Sequence, residues 1–131
     1  MASSLAAKLQ IKPGQSLAVL NAPEGMLATL ATALPEITVS MGAAGRANSV
    51  LLFVHSLAET GRLLGCAIEA VGRDGLLWIA YPKGSSGVTT DLNRDRLWEA
   101  VKPSGWRPVR QVALDEVWSA MRFRPAELVG K

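Results

Sequence analysis

Two stretches of the chain, Val50 to Val54 and Leu76 to Tyr81, are apolar at every position. A strand with one wet face alternates apolar and polar residues, so unbroken runs of this length fit strands covered on both faces, as in parallel sheets flanked by helices. They are far too short for a membrane-spanning helix, which needs about 20 residues.

The segments around these runs can be read in the same way. Ser16 to Asn21 is a short apolar strand. Asn21 can cap the next helix, Pro23 suits a first helical turn, and Met26, Leu27, Leu30 and Leu34 recur at helical spacing until Pro35. Ile37 to Ser40 reads as a weaker strand and Met41 to Asn48 as a loop, before a third strand over Ser49 to His55. Ser56 with Glu59 fits the S-x-x-E capping box, and Leu57, Leu64, Ile68 and Val71 form a helical stripe that Gly72 closes.

After the run ending at Tyr81, the stretch Lys83-Gly84-Ser85-Ser86-Gly87 leads to a helix that Thr89, Thr90 or Asp91 can cap and that reaches about Val101. Val109 to Leu114 and Val117 to Phe123, separated by Asp115-Glu116, predict an antiparallel hairpin, with a helix from Glu116 as the alternative. Met1 to Ile11 reads as a polar leader. The whole predicts one three-layer α/β domain over residues 1–131. Its mostly parallel sheet has about five or six strands, helices on both faces and a C-terminal antiparallel hairpin.

With 49% apolar and 19% charged residues the chain is not disordered, and 131 residues suffice for one core. No cationic patch followed by an apolar stretch opens it, so a cytoplasmic location is the default expectation. The one cysteine, Cys66, excludes an internal disulfide and reads as a small buried apolar residue. Fourteen Lys and Arg stand against eleven Asp and Glu, interleaved along the chain and without any RNA-binding or zinc-finger motif. No nucleic-acid partner is expected on that basis.

In open parallel sheets ligands sit beyond the carboxyl ends of the strands. Asn21, His55, Tyr81, Lys83, Ser85, Ser86 and Asp91 fall there. Glycines that free the backbone, two hydroxyls, the Lys83 cation and a helix start describe a site for a small anionic ligand. The order is not that of a P-loop, and the plain alternative is a connection whose polar residues cap a helix. His55, the sole histidine, is either an acid–base group or a hydrogen-bonded structural residue. Asp91, Asp95 and Glu99 would share one helical face. That stripe reads as solvated, partnered by Arg94 and Arg96, rather than as a magnesium site. Trp98 and Val101 read as core. No metal and no cofactor is implied. On a strand, Trp118, Ala120, Arg122 and Arg124 would share a face suited to a partner, a second copy of the chain included, or to an acidic ligand, the plain alternative being ordinary packing with solvated arginines.

Lys12-Pro13-Gly14 before an apolar strand matches the entrance to the first strand of methyltransferases and dinucleotide-binding domains. Those folds use glycines after that strand and an acidic residue ending the second. Asn21-Ala22-Pro23-Glu24-Gly25 and Val39-Ser40-Met41-Gly42 stand there, so the usual cofactor cradle is not expected. Three other segments carry a resemblance: Lys12-Pro13-Gly14-Gln15, Leu77-Trp78 through Tyr81-Pro82-Lys83, and Trp118-Ser119 with Arg122. Together they resemble a family of small bacterial proteins, a domain of unknown function, over most of the length. The resemblance implies a stand-alone cytoplasmic bacterial protein and carries no activity or catalytic residue.

The leading expectation is therefore a non-catalytic or regulatory domain that binds a small anionic ligand at the strand ends. One alternative is an enzyme using His55 as acid or base with Lys83 as electrostatic stabiliser. The other is an interaction or homo-oligomeric module built on Trp118 and Arg122.

Overall fold

The computed structural model describes residues 4–41, 48–71, 75–83 and 90–125. The two apolar runs become neighbouring parallel strands, β3 (Ser49–Phe53) and β4 (Leu76–Pro82), with Leu51 opposite Trp78. β1 (Ser16–Leu20) pairs parallel with β3 on one side and with the short edge strand β2 (Thr38–Met41) on the other. The hairpin forms as predicted from β5 (Trp106–Ala113) and β6 (Trp118–Pro125), and β6 lies antiparallel against β4. The sheet order is β2-β1-β3-β4-β6-β5.

Helices cover both faces. α3 (Leu57–Val71) and α4 (Arg94–Val101) pack on one, where Val50, Leu52, Leu77, Ile79, Met121 and Phe123 point. The other face, with Leu17, Val19, Leu51, Phe53, Trp78 and Trp118, is covered by α2 (Met26–Ala33) and by α1 (Ser4–Leu9). α1 corrects the reading of this segment as no more than a polar leader. Leu9 is wholly buried, and its carbonyl accepts a hydrogen bond from the Trp78 indole at 3.0 Å. That bond satisfies the one polar atom of a tryptophan that is itself 0% exposed.

Several local expectations change. Asn21 does not cap α2, whose N-cap is Gly25 in the left-handed region with no side-chain bond. α4 starts later than expected because Asn93 caps it, its side chain accepting from the Arg96 amide. Asp91 thus precedes the helix, and the stripe with Asp95 and Glu99 is broken. Cys66 is exposed rather than buried, because it falls on the outward side of α3. Trp98 is only half-buried. No helix among the described residues is long and apolar enough to cross a membrane.

The α3–β4 connection leaves no room at Gly75. A Cβ there would lie 2.5 Å from Val71 Cγ2, 2.7 Å from the Val71 carbonyl and 2.9 Å from the Asn48 carbonyl. At Gly65, inside α3, a Cβ meets nothing within 4 Å. Urea denaturation should therefore show Gly75→Ala destabilised by about 1–3 kcal/mol. Gly65→Ala should be stabilised by up to about 1 kcal/mol.

Candidate functional site

At the carboxyl ends of β1, β3 and β4 the described candidate residues fall into two groups. The first group surrounds the start of α3. Ser56 Oγ accepts from the Glu59 amide at 3.1 Å, half of the expected capping box. The Glu59 carboxylate reaches one residue further back than such a box requires, accepting from the His55 amide at 2.6 Å and lying 3.2 Å from its Nδ1. Asp91 Oδ1 accepts from the Leu57 amide at 2.9 Å, and Thr90 Oγ1 donates to the His55 carbonyl at 2.6 Å. The amides at this helix start, a natural anion site, are thus served by the chain's own side chains.

Asn21 completes this group. It holds a positive φ of 58°, and its side-chain amide donates to the Phe53 carbonyl at 2.8 Å, bridging the ends of β1 and β3. Burial works against the Glu59 charge. The bonds from the His55 amide and ring, and one from Asn21, outweigh it and hold the carboxyl below its ordinary range. The His55 ring packs edge-to-face on Trp118, with centroids 5.1 Å apart, and Trp118 packs likewise on Phe53 at 5.0 Å. His55 therefore belongs to the face covered by α1 and α2.

The second group lies beside β4, β6 and α4, on the face opposite the His55 ring. Tyr81, Lys83, Asn93, Arg94, Gln111 and Ser119 line a pocket of about 360 Å³. The Gln111 amide donates to both the Tyr81 hydroxyl, at 2.8 Å, and Ser119 Oγ, at 2.9 Å. Tyr81 is 4% exposed, and its hydroxyl is hydrogen-bonded with Ser119 as well as Gln111. Burial pushes the phenol above its ordinary value, against the lowering effect of Ser119, Gln111 and Arg94, so it remains a donor at neutral pH. Lys83 is anchored by its amide to the Val117 carbonyl and by Nζ to the Asp115 carbonyl at 2.6 Å. Arg94 is largely exposed, 4.0 Å from Asp95.

Of the expected residues, then, Asn21, His55 and Asp91 meet around α3, and Tyr81 and Lys83 meet in the pocket. Ser85 and Ser86 lie outside the described residues. His55 does not line the pocket that holds Lys83, so the acid–base pairing of these two is corrected. The reason is in what each ring touches: His55 packs on Trp118, beside Phe53, whereas Tyr81 belongs to the core on the α3 and α4 side. Sequence reasoning misses Gln111, Ser119, Arg94 and Glu59 as ligands. The legible signal for two of them is a polar residue inside each predicted strand of the hairpin.

By sequence, the chain matches no protein-family model and no curated protein. By structure it is similar to S-adenosylmethionine-dependent methyltransferases. An O-methyltransferase of neocarzinostatin biosynthesis, solved with S-adenosylmethionine and 2-hydroxy-5-methyl naphthoic acid, superposes with a TM-score of 0.65 at 14% identity. The superposition covers 94% of this chain and 52% of that one, so the chain spans about half the length of this relative. A TehB-like methyltransferase from Corynebacterium glutamicum gives 0.55 at 10% identity, over 95% and 86% of the two chains. LepI, solved with S-adenosylmethionine, gives 0.53 at 16% identity, over 95% and 39%.

This likeness is one of fold, and it corrects the expectation of a non-catalytic or regulatory domain: the architecture is that of catalytic proteins. The cofactor of those proteins is not matched by the residues here. Asn21 ties together the strand ends where the sheet order changes direction, the crevice such folds use. The described end of β2 is Ser40 and the exposed Met41, with no carboxylate to hold a ribose.

The Glu59 network yields a pH prediction. A carboxyl held below its ordinary pKa adds stability that is present above the unfolded value and lost as the pH falls through the folded one. Glu59→Gln should therefore unfold at lower urea than the parent at pH 7, by about 1–2 kcal/mol, with the two curves converging toward pH 3. An equal gap at both pH values contradicts the assignment.

Proposed function

We propose that this chain is an enzyme of the methyltransferase fold that binds a small anionic substrate, carboxylate or phosphate, in the pocket between β4, β6 and α4. The observation that carries this reading is the Tyr81 hydroxyl. It is buried, kept protonated and held in place by Gln111 and Ser119, at the wall of a pocket that Lys83 and Arg94 also line. A hydroxyl held in place in this way is a preorganised donor for an anion that enters the pocket. Lys83 and Arg94 provide the countercharge.

The chemistry available there is electrostatic. The phenol can donate to a carbonyl or phosphoryl oxygen as negative charge builds on it, and the Lys83 and Arg94 cations can stabilise that charge. Water is partly excluded because Tyr81 and Ser119 are buried. The catalytic character of the structural relatives supports an enzyme reading, and the Asn21–Glu59 closure favours a site away from the crevice they use.

Thermal unfolding tests this. Millimolar inorganic phosphate or citrate should raise the Tm, with a stabilisation near 2.7 kcal/mol at a hundredfold excess over Kd. Tyr81→Phe and Arg94→Gln should each remove most of that shift while leaving the unliganded Tm close to the parent's. No shift in the parent, or the same shift in both variants, would overturn the reading.

A further inference from the structure

The hairpin sets arginines against one another. Arg107 lies opposite Arg124, and Arg110 opposite Arg122. Like charges directly opposed on neighbouring strands are destabilising. No ion pair among the described residues involves any of the four. Arg122 is half-buried beside α1, where Nη1 donates to Gln10 Oε1 at 2.5 Å while its Nε is buried without a partner. Burial, then the charges of Arg124 and Arg110, weaken its hold on its proton. α1 adds Lys8 and no acidic residue.

Protection of a sheet edge accounts for part of this. Arg107 and Arg110 sit on the edge strand β5, beside Pro108 and a register shift. It does not account for Arg122 and Arg124, which sit on β6 between two other strands. Four mutually repelling guanidiniums are maintained at a cost, and a polyanion offsets it.

We propose that this hairpin binds the phosphodiester backbone of a nucleic acid without reading its sequence. Guanidinium forks match phosphate oxygens two at a time. Arg122 and Arg124, two residues apart on a strand, stand about 6.6 Å apart, a repeat suited to a chain of charges. An acidic protein would need an apolar or aromatic anchor at the centre of its footprint. Trp106 and Trp118 are buried here, at 5% and 6% exposure, and Val109 is the one large apolar side chain the hairpin exposes among the described residues. A polyphosphate needs no anchor, because released counterions drive its binding. Acidic residues interleave these arginines along the sequence; the fold brings the arginines together.

Fluorescence polarisation with a short labelled RNA tests the proposal. The full chain should bind at low ionic strength, with log K falling against log salt at a slope of about 3 if four phosphates are neutralised. Arg107→Gln/Arg110→Gln, at exposed positions, should weaken binding about tenfold or more and lower the slope by about 1.4. Arg122→Gln/Arg124→Gln should do the same if it folds. Lys12→Gln/Lys102→Gln removes equal charge elsewhere and should leave binding unchanged. The proposal is overturned by no binding, by an equal loss in the lysine variant, or by polyglutamate competing as well as RNA.

Discussion

The antiparallel pairing of β4 with β6 positions nearly everything described here. It places Tyr81 opposite Ser119, Pro82 opposite Trp118 and Trp78 opposite Arg122. Because side chains alternate along a strand, a slip of one residue would exchange the two faces of β6. Trp118 would leave Phe53 and His55, Ser119 would leave Gln111, and Met121 and Phe123 would leave the core beside α3 and α4. The register is held by burial on both sides of the sheet, with Phe123 and Ala120 each 0% exposed on opposite faces. Leu77-Trp78 through Tyr81-Pro82-Lys83 and Trp118-Ser119 with Arg122 are the partners in this pairing. Lys12-Pro13-Gly14-Gln15 enters β1 just after Leu9, which receives the Trp78 hydrogen bond.

Charge is arranged differently in the two groups. Around α3 the chain's own carboxylates, Glu59 and Asp91, take the amides that could have held an anion. In the pocket beyond Tyr81 no carboxylate of the lining residues plays that part, and Lys83 and Arg94 remain beside a hydroxyl donor. The same fold therefore closes one possible site with internal ligands and gathers two cationic side chains and a hydroxyl at another.

Much of the architecture is legible in the residues. The apolar runs at Val50 to Val54 and Leu76 to Tyr81 specify buried parallel strands, Ser56 and Glu59 mark the start of α3, and Asp115-Glu116 separates the strands of the hairpin. What is not legible depends on contacts distant in sequence. α1 is too short to show a period and is held by Leu9 under Trp78. Asp91 looks like a cap for α4 until the approach of Leu57 claims it. The missing glycines and acidic residue argue against the cradle of a methyltransferase, yet the topology of that fold is dictated by the apolar pattern rather than by those loop residues. The strand ends are legible as a place but not as two faces, since His55 lies just beyond β3, where the alternation of the run no longer shows which way a side chain turns.

The central claim is that an anion is held by the Tyr81 hydroxyl in the pocket formed by this pairing. Nuclear magnetic resonance on the full chain, with inorganic phosphate titrated in, tests it most directly. The Gln111 side-chain amide and the backbone amides of Tyr81 and Ser119 should shift together and saturate, while those of His55 and Glu59 stay in place. Saturating shifts confined to His55 and Glu59, or none at Gln111, would contradict it.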